Sequence, residues 1–228
     1  MNLTEYQLND NYEKLIAIIE GEFSGKRKEQ LLSLYSDWAD RIATAPASTK
    51  KSYYNAFPGG YVLHVLDICK AAALMYDVWM EMTGELDFTW EELAFVAINH
   101  DLGKIGTETE DCYIPCTEDW MIRKGQVYVL NPKLQYMKIA DRSLMSLSNR
   151  GIQMSDKEYL AIKLYDGLYD DSNKAYFMSY SEDYELKTLL PYVIHQADLI
   201  STKSASIRKP AKVKTAPKNP TFSKFFNE

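Results

Sequence analysis

Apolar residues recur at helical spacing along most of this chain. From Glu5 to Glu20 the positions Leu8, Tyr12, Leu15, Ile16 and Ile19 mark one face, and Gly21 and Gly25 interrupt it, which predicts a peripheral helix. A second helix is predicted from Arg27 to Ile42 through Leu31, Leu34, Tyr35 and Trp38. Ala45-Pro46 stops it, because the residue before a proline avoids the helical region. Pro58-Gly59-Gly60 then reads as a sharp, close-packed turn that could also bring backbone near a substrate. From Tyr61 to Met82 apolar residues go nearly all the way round, as on a buried central helix. Thr89-Trp-Glu-Glu92 is a capping box, so the next helix starts near Trp90 and runs to His100, with Gly103 marking its end. Helix signals fade between Thr107 and Pro132. There Gln126-Val-Tyr-Val-Leu130 reads as a strand after a turn at Arg123-Lys-Gly125, predicting a small β-hairpin. Met137 to Arg150 reads as a helix, and Ser155-Asp-Lys-Glu158 caps another that ends near Tyr165-Asp-Gly167. A last long helix is expected from about Tyr184 to Ser204, with Pro191 as a kink or as the true start. The pattern as a whole predicts an all-α fold with one hairpin insertion.

Composition narrows the classes. With 228 residues, 46% of them hydrophobic, the chain can bury one sizeable core and is short for two. A formal net charge of -6 argues against coating duplex nucleic acid by charge, although a local basic groove stays possible. No apolar run approaches a membrane span, and the first residues read as neither a signal nor a transit peptide, so a cytoplasmic protein with no membrane partner is expected. Cys69, Cys112 and Cys116 are an odd set without paired zinc spacing, which argues against a disulfide framework. Residues 1-30 are expected to form a peripheral element. Residues 206-228 are basic and proline-spaced, ending in Phe222, Phe225 and Phe226, and read as a tail that docks loosely or touches a polyanion or a second copy of the chain.

Candidate chemistry centres on the three histidines, which all fall inside apolar, helix-like runs: His64, His100 and His195. Asp101 follows His100 directly, and Asp198 shares a helical face with His195 at i, i+3 spacing. Neutral imidazoles and carboxylates are good ligands for divalent first-row metals. Glu108, Glu110 and Asp111 follow closely enough to be considered for proton transfer, against the plainer reading of a solvated acidic loop.

Three blocks in order, Phe57-Pro-Gly-Gly-Tyr-Val-Leu-His64, His100-Asp-Leu-Gly-Lys104 and His195-Gln-Ala-Asp198, resemble the HD-domain superfamily of metal-dependent phosphohydrolases over roughly residues 31-205. The resemblance implies an all-helical HD domain in which His64, His100, Asp101 and Asp198 hold the metal, with His195 orienting the site by an outer hydrogen bond rather than ligating. It also implies hydrolysis of phosphoesters, often of nucleotides. Members with two metals carry further histidines near the positions of Ile139 and Tyr165-Asp166, which this chain lacks. One tightly held ion is therefore expected, with Asp166 as a candidate for a second site or for substrate contact.

Two imidazoles and two carboxylates favour manganese, with Fe2+, Co2+, Ni2+ or Mg2+ as alternatives. Asp101 and Lys104 are the expected catalytic residues, Lys104 serving a phosphate oxygen; the competing reading is a solvated lysine at a helix end. Arg142, Lys203, Lys50 and Lys51 are the other cations that could meet phosphate. The expected substrate is a nucleotide or a related small phosphate ester. Alternatives are a 3'-5' exonuclease on single strands, aided by Tyr53, Tyr54 and the basic tail, and an HD regulatory domain that binds metal without turnover.

Overall fold

A computed structural model describes residues 3–179 and 181–207, and among these residues there are ten α-helices and one two-stranded sheet. The helices are α1 (Glu5–Glu22), α2 (Gly25–Asp37), α3 (Ala39–Thr44), α4 (Gly60–Thr83), α5 (Trp90–Asn99), α6 (Asp119–Arg123), α7 (Ile139–Asn149), α8 (Asp156–Leu164), α9 (Lys174–Phe177) and α10 (Leu190–Ile207). The strands β1 (Tyr113–Pro115) and β2 (Tyr128–Leu130) pair antiparallel with Tyr113 opposite Leu130. The expectation of a mostly helical chain with a small hairpin holds. No helix among the described residues is long and apolar enough to cross a membrane.

Local chemistry explains most helix starts. Reciprocal capping boxes form at Thr4 with Gln7, at Thr89 with Glu92 and at Ser155 with Glu158, each satisfying backbone donors that a helix start leaves open. Pro191 falls in the first turn of α10, where a missing N–H costs nothing, so it belongs to the helix start rather than to a kink.

Elsewhere the structure departs from the expected elements. The helix expected from Arg27 to Ile42 is two, α2 and α3, parted at Trp38 (φ -108°, ψ 16°). The break lets the buried Trp38 side chain donate to Glu108 while Ile42 still reaches the core. The hairpin is joined not by a tight turn but by a connection containing α6. The central helix α4 is buried only in its first half, at Tyr61, Val62, His64, Val65, Ile68, Ala71 and Ala72. Leu74, Val78 and Met82 on its second half are exposed. The tail from residue 208 lies outside the described residues.

The core is one cluster in which Leu15 and Ile19 of α1, Leu31 and Leu34 of α2, Ile68 of α4, Phe95 and Ile98 of α5, Ile162 of α8 and Ile194 of α10 are all buried. Helix α4 packs against both α10 and α5, while α7 covers the short 3-10 turn Leu102–Lys104. Those contacts bring the C-terminal end of α5, the first turns of α4 and the middle of α10 to one place.

Candidate metal centre

Each candidate ligand reaches that place by a different route. His64 lies one turn into α4, whose entry needs Gly59 in the left-handed region (φ 81°) and no side chain at Gly60, since a Cβ there would run into the Asn55 carbonyl. The same turn lays the Tyr54 ring against the His64 ring, with centroids 4.7 Å apart. The two glycines thus serve close packing around the site. His100 is the C-terminal cap of α5, and Asp101 begins the 3-10 turn. Gly103 fits under α7 because a Cβ there would strike the Ile139 carbonyl; its N–H donates to Ser143 Oγ (2.8 Å), which donates to the His100 carbonyl (2.8 Å).

His64, His100 and Asp101 form a buried cluster whose ligand atoms lie within 4.8 Å of one another. His64 Nε2 is 3.1 Å from Asp101 Oδ2 and 3.4 Å from Asp198 Oδ1, and His100 Nε2 is 3.6 Å from Asp101 Oδ2. Around an ion with metal–ligand bonds of about 2.1 Å, neighbouring ligands sit roughly 3.0 to 3.4 Å apart for octahedral to tetrahedral geometry. The observed spacings agree with such edges to within a few tenths of an ångström.

Hydrogen bonding points the same way. His64 Nε2, His100 Nε2 and Asp198 Oδ1 are buried and have no hydrogen-bond partner, whereas buried polar atoms are ordinarily paired. The opposite ring nitrogens are held: His100 Nδ1 donates to the Ala97 carbonyl (3.0 Å), and His64 Nδ1 lies 3.5 Å from Ser201 Oγ. Outer bonds of this kind orient a metal-binding imidazole and leave Nε2 as a lone pair. Burial pushes the His100 imidazole below its ordinary pKa, so it is neutral, as a ligand must be. Burial acts on His64 in the same sense, but the carboxylates of Asp101 and Asp198 outweigh it and raise its pKa. Its Nε2 nevertheless aligns to donate to neither carboxylate, an arrangement that suits a shared cation better than a proton. The residues present therefore fit a divalent metal.

Lys104 does not stand in solvent; its ammonium turns inward onto the Asp101 carboxylate. Only 5% exposed, it donates to Asp101 Oδ2 and to the Tyr54 hydroxyl (2.7 Å). Burial would lower the Lys104 pKa, but Asp101 together with Tyr54 and Tyr113 raises it and holds the ammonium charged; burial would likewise raise the Asp101 pKa, but Lys104 together with His100 and His64 holds its carboxyl well below the usual range. The other oxygen, Asp101 Oδ1, accepts from the Tyr165 hydroxyl (2.8 Å). Asp101 is thus fully engaged, and the oxygen nearest both imidazoles already faces one cation.

The remaining candidates separate. His195 Nδ1 donates to the Tyr165 carbonyl (2.8 Å), so it steadies the residue that bonds Asp101 and lies outside the ligand cluster. Asp166 is exposed at the rim. Desolvation by its surroundings, then the charges of Asp101 and Asp198, push its pKa up to about 6. Arg142 is buried on α7 and donates to the Gln135 carbonyl (2.9 Å), with Nε unpartnered. Lys203 and Lys51 are exposed, and Lys50 lies over the Tyr53 ring. The acidic run after the HD block is engaged structurally: Glu108 pairs with Arg150, Glu110 with Lys133 and Asp111 with Arg41. Cys112 and Cys116 are buried free thiols. Tyr165 was missed as a site residue, and Tyr54 was weighed only for stacking a strand, not for its bond to Lys104. A tyrosine in a loop and another at a helix end carry no spacing signal, and only contact with Lys104 and Asp101 reveals them.

Comparison with known proteins adds no name to this geometry: no protein-family model, no curated protein and no solved structure matches the chain.

Proposed function

We propose that the protein is a metal-dependent phosphohydrolase acting on nucleotides or related small phosphate esters. The observation that carries the reading is the buried cluster of His64, His100 and Asp101, whose ligand atoms lie within 4.8 Å of one another with His64 Nε2 and His100 Nε2 unpartnered, and beside it Asp198 Oδ1, likewise unpartnered and 3.4 Å from His64 Nε2 though outside that mutual cluster. In this reading His64, His100, Asp101 and Asp198 hold one divalent ion, with manganese favoured by the mixed N/O donor set. When bound, such an ion supplies a Lewis acid and lowers the pKa of water into the neutral range. Tyr165 and Lys104 fix the Asp101 carboxylate, and Ser201 and the Ala97 carbonyl fix the imidazoles. Lys104, beside the ligating oxygen, offers positive charge to a phosphoryl oxygen. Asp166, whose carboxyl pKa is pushed up to about 6 by burial and the charges of Asp101 and Asp198, is in this reading the group that would exchange a proton with the leaving oxygen.

A second reading has one observation in its favour. The Lys104 ammonium pairs with Asp101 Oδ2, a neutralisation of the carboxylate that a regulatory HD domain without turnover could tolerate.

Elemental analysis and a substrate screen separate the two. Purified protein should carry about one transition ion per chain and hydrolyse members of a nucleotide panel with manganese, while a labelled single-stranded oligonucleotide stays intact. Asp198→Asn, at a partly exposed ligand that can be altered without emptying the core, should lose metal and activity together. Full activity in verified metal-free protein would sink the reading, and stoichiometric metal with no turnover on any substrate would favour the regulatory domain.

A further inference from the structure

Beside the metal centre lies a cavity of about 420 Å3 lined by Gly167, Leu168, Tyr169, Phe177, Tyr192 and His195. We propose that it receives the base of the nucleotide substrate, stacked against its aromatic walls and hydrogen-bonded to His195 Nε2. This deepens the phosphohydrolase reading and rests on it for the position of the phosphate.

The walls are rings. Phe177 meets Tyr192 edge to face with centroids 5.3 Å apart, and the Phe177 and Tyr169 rings lie 6.4 Å and 6.5 Å from the His195 ring. Planar heterocycles stack on such surfaces whatever their identity. The volume falls within the roughly 300–1,000 Å3 range of small-molecule sites. An aliphatic ligand would use the space as well but would gain nothing from the rings.

His195 supplies the polar contact. Its Nδ1 faces the Tyr165 carbonyl, which can only accept, so the proton sits on Nδ1 and Nε2 is left as an acceptor. Nε2 has no partner among the described residues. Gly167 presses on the ring, since a Cβ there would overlap Cε1, Nε2 and Nδ1, so the imidazole cannot turn away. The site therefore offers an acceptor to a ligand N–H, which every nucleobase presents on its pairing edge.

Position links the cavity to the metal centre. His195 precedes Asp198 by three residues on α10, about 4.5 Å along the helix axis. Gly167 follows Asp166 directly, and the Tyr165 carbonyl that holds His195 belongs to the residue whose hydroxyl holds Asp101. Two lining residues of the cavity, Gly167 and His195, are thus tied in sequence and by hydrogen bonding to residues of the metal centre, and on the proposal a sugar spans the step between them. His195 becomes a specificity residue as well as a support for Tyr165.

Nucleosides test the cavity without the phosphate. Adenosine, guanosine, cytidine and uridine are titrated by calorimetry or saturation-transfer NMR into the parent protein, into the same protein after chelation, and into Tyr169→Ala. Tyr169 is 77% exposed, so its truncation spares the core. At least one nucleoside should bind, should bind chelated protein equally well, and should lose affinity tenfold or more in Tyr169→Ala. Absence of binding by all four, or undiminished binding in Tyr169→Ala, overturns the proposal. Metal analysis and phosphatase assay of the parent keep the two readings apart. Metal and turnover without nucleoside binding would sink only the cavity, whereas nucleoside binding without metal would sink only the metal centre.

Discussion

Asp101 and Lys104 form a buried pair three residues apart, and the oxygen they share is the one a metal needs. Removing the ammonium has opposite effects in the two states of the protein. Without metal, Lys104→Met strands the Asp101 carboxylate in the core, and losing one partner of a buried pair costs about 3–5 kcal/mol. With metal, the ion replaces that charge and no longer competes with lysine. Lys104→Met should therefore lower the melting temperature of chelated protein markedly, bind manganese more tightly than the parent, and cut turnover by roughly a hundredfold if Lys104 serves the phosphoryl oxygen. Thermal melts with and without metal, with kcat alongside, check this; equal melting of parent and variant after chelation would show that the pair does not form. Asp166 gives a prediction in pH. Its folded pKa of about 6 lies above the ordinary carboxylate value, so the native state holds the proton more tightly than the unfolded chain. Ionising it penalises the fold fully above pH 6 and not at all below about 4. Asp166→Asn should thus raise the melting temperature of metal-free protein at pH 7.5, with the gain vanishing as pH falls through that window. A gain that is flat in pH would reject the shift.

The short 3-10 turn Leu102–Lys104 is packed tightly under α7. Gly103 packs under α7 against the Ile139 carbonyl and the Ser143 amide, and its neighbours are Asp101 and Lys104. Gly103→Ala cannot be absorbed by a flexible side chain, since backbone is what the new methyl meets. It should cost about 1–3 kcal/mol, the usual range for overpacking, and weaken metal binding by displacing Asp101. Chemical denaturation together with metal titration checks both effects; an unchanged midpoint would mean that α7 moves aside freely. The glycine itself stands out in the sequence, but its reading there was helix termination. Close approach of a helix distant in the chain is a different constraint, invisible until α7 is placed.

Across the whole molecule, one arginine joins three helices to the core. Arg27 on α2 donates to both oxygens of the fully buried Glu158 on α8 (2.7 and 3.0 Å) and to the Gln153 carbonyl (2.9 Å), and it stacks over Phe95 of α5. Burial raises the Glu158 pKa against the lowering effect of Arg27. Arg27→Met should leave that carboxylate unpaired, costing about 3–5 kcal/mol and making stability rise as pH falls and Glu158 becomes protonated. A denaturation midpoint within about 0.5 kcal/mol of the parent would reject this role. The pair shows how far pattern reading reaches. Ser155-Asp-Lys-Glu158 was legible as a helix start, because capping is settled within four residues, while Glu158 gave no sign that it also closes a pair with a residue 131 positions away. The same divide runs through the whole chain. Periodicity and capping boxes determined where most helices lie, and the rarity of histidine singled out His64, His100 and the adjoining Asp101, because those signals are local or compositional. The break at Trp38, the half-exposed α4, the inward turn of Lys104, the engagement of Tyr54 and Tyr165, and the cavity at His195 were decided only by the tertiary structure. Each depends on which distant surface a residue meets, and that is a property of helix packing that no short stretch of sequence contains.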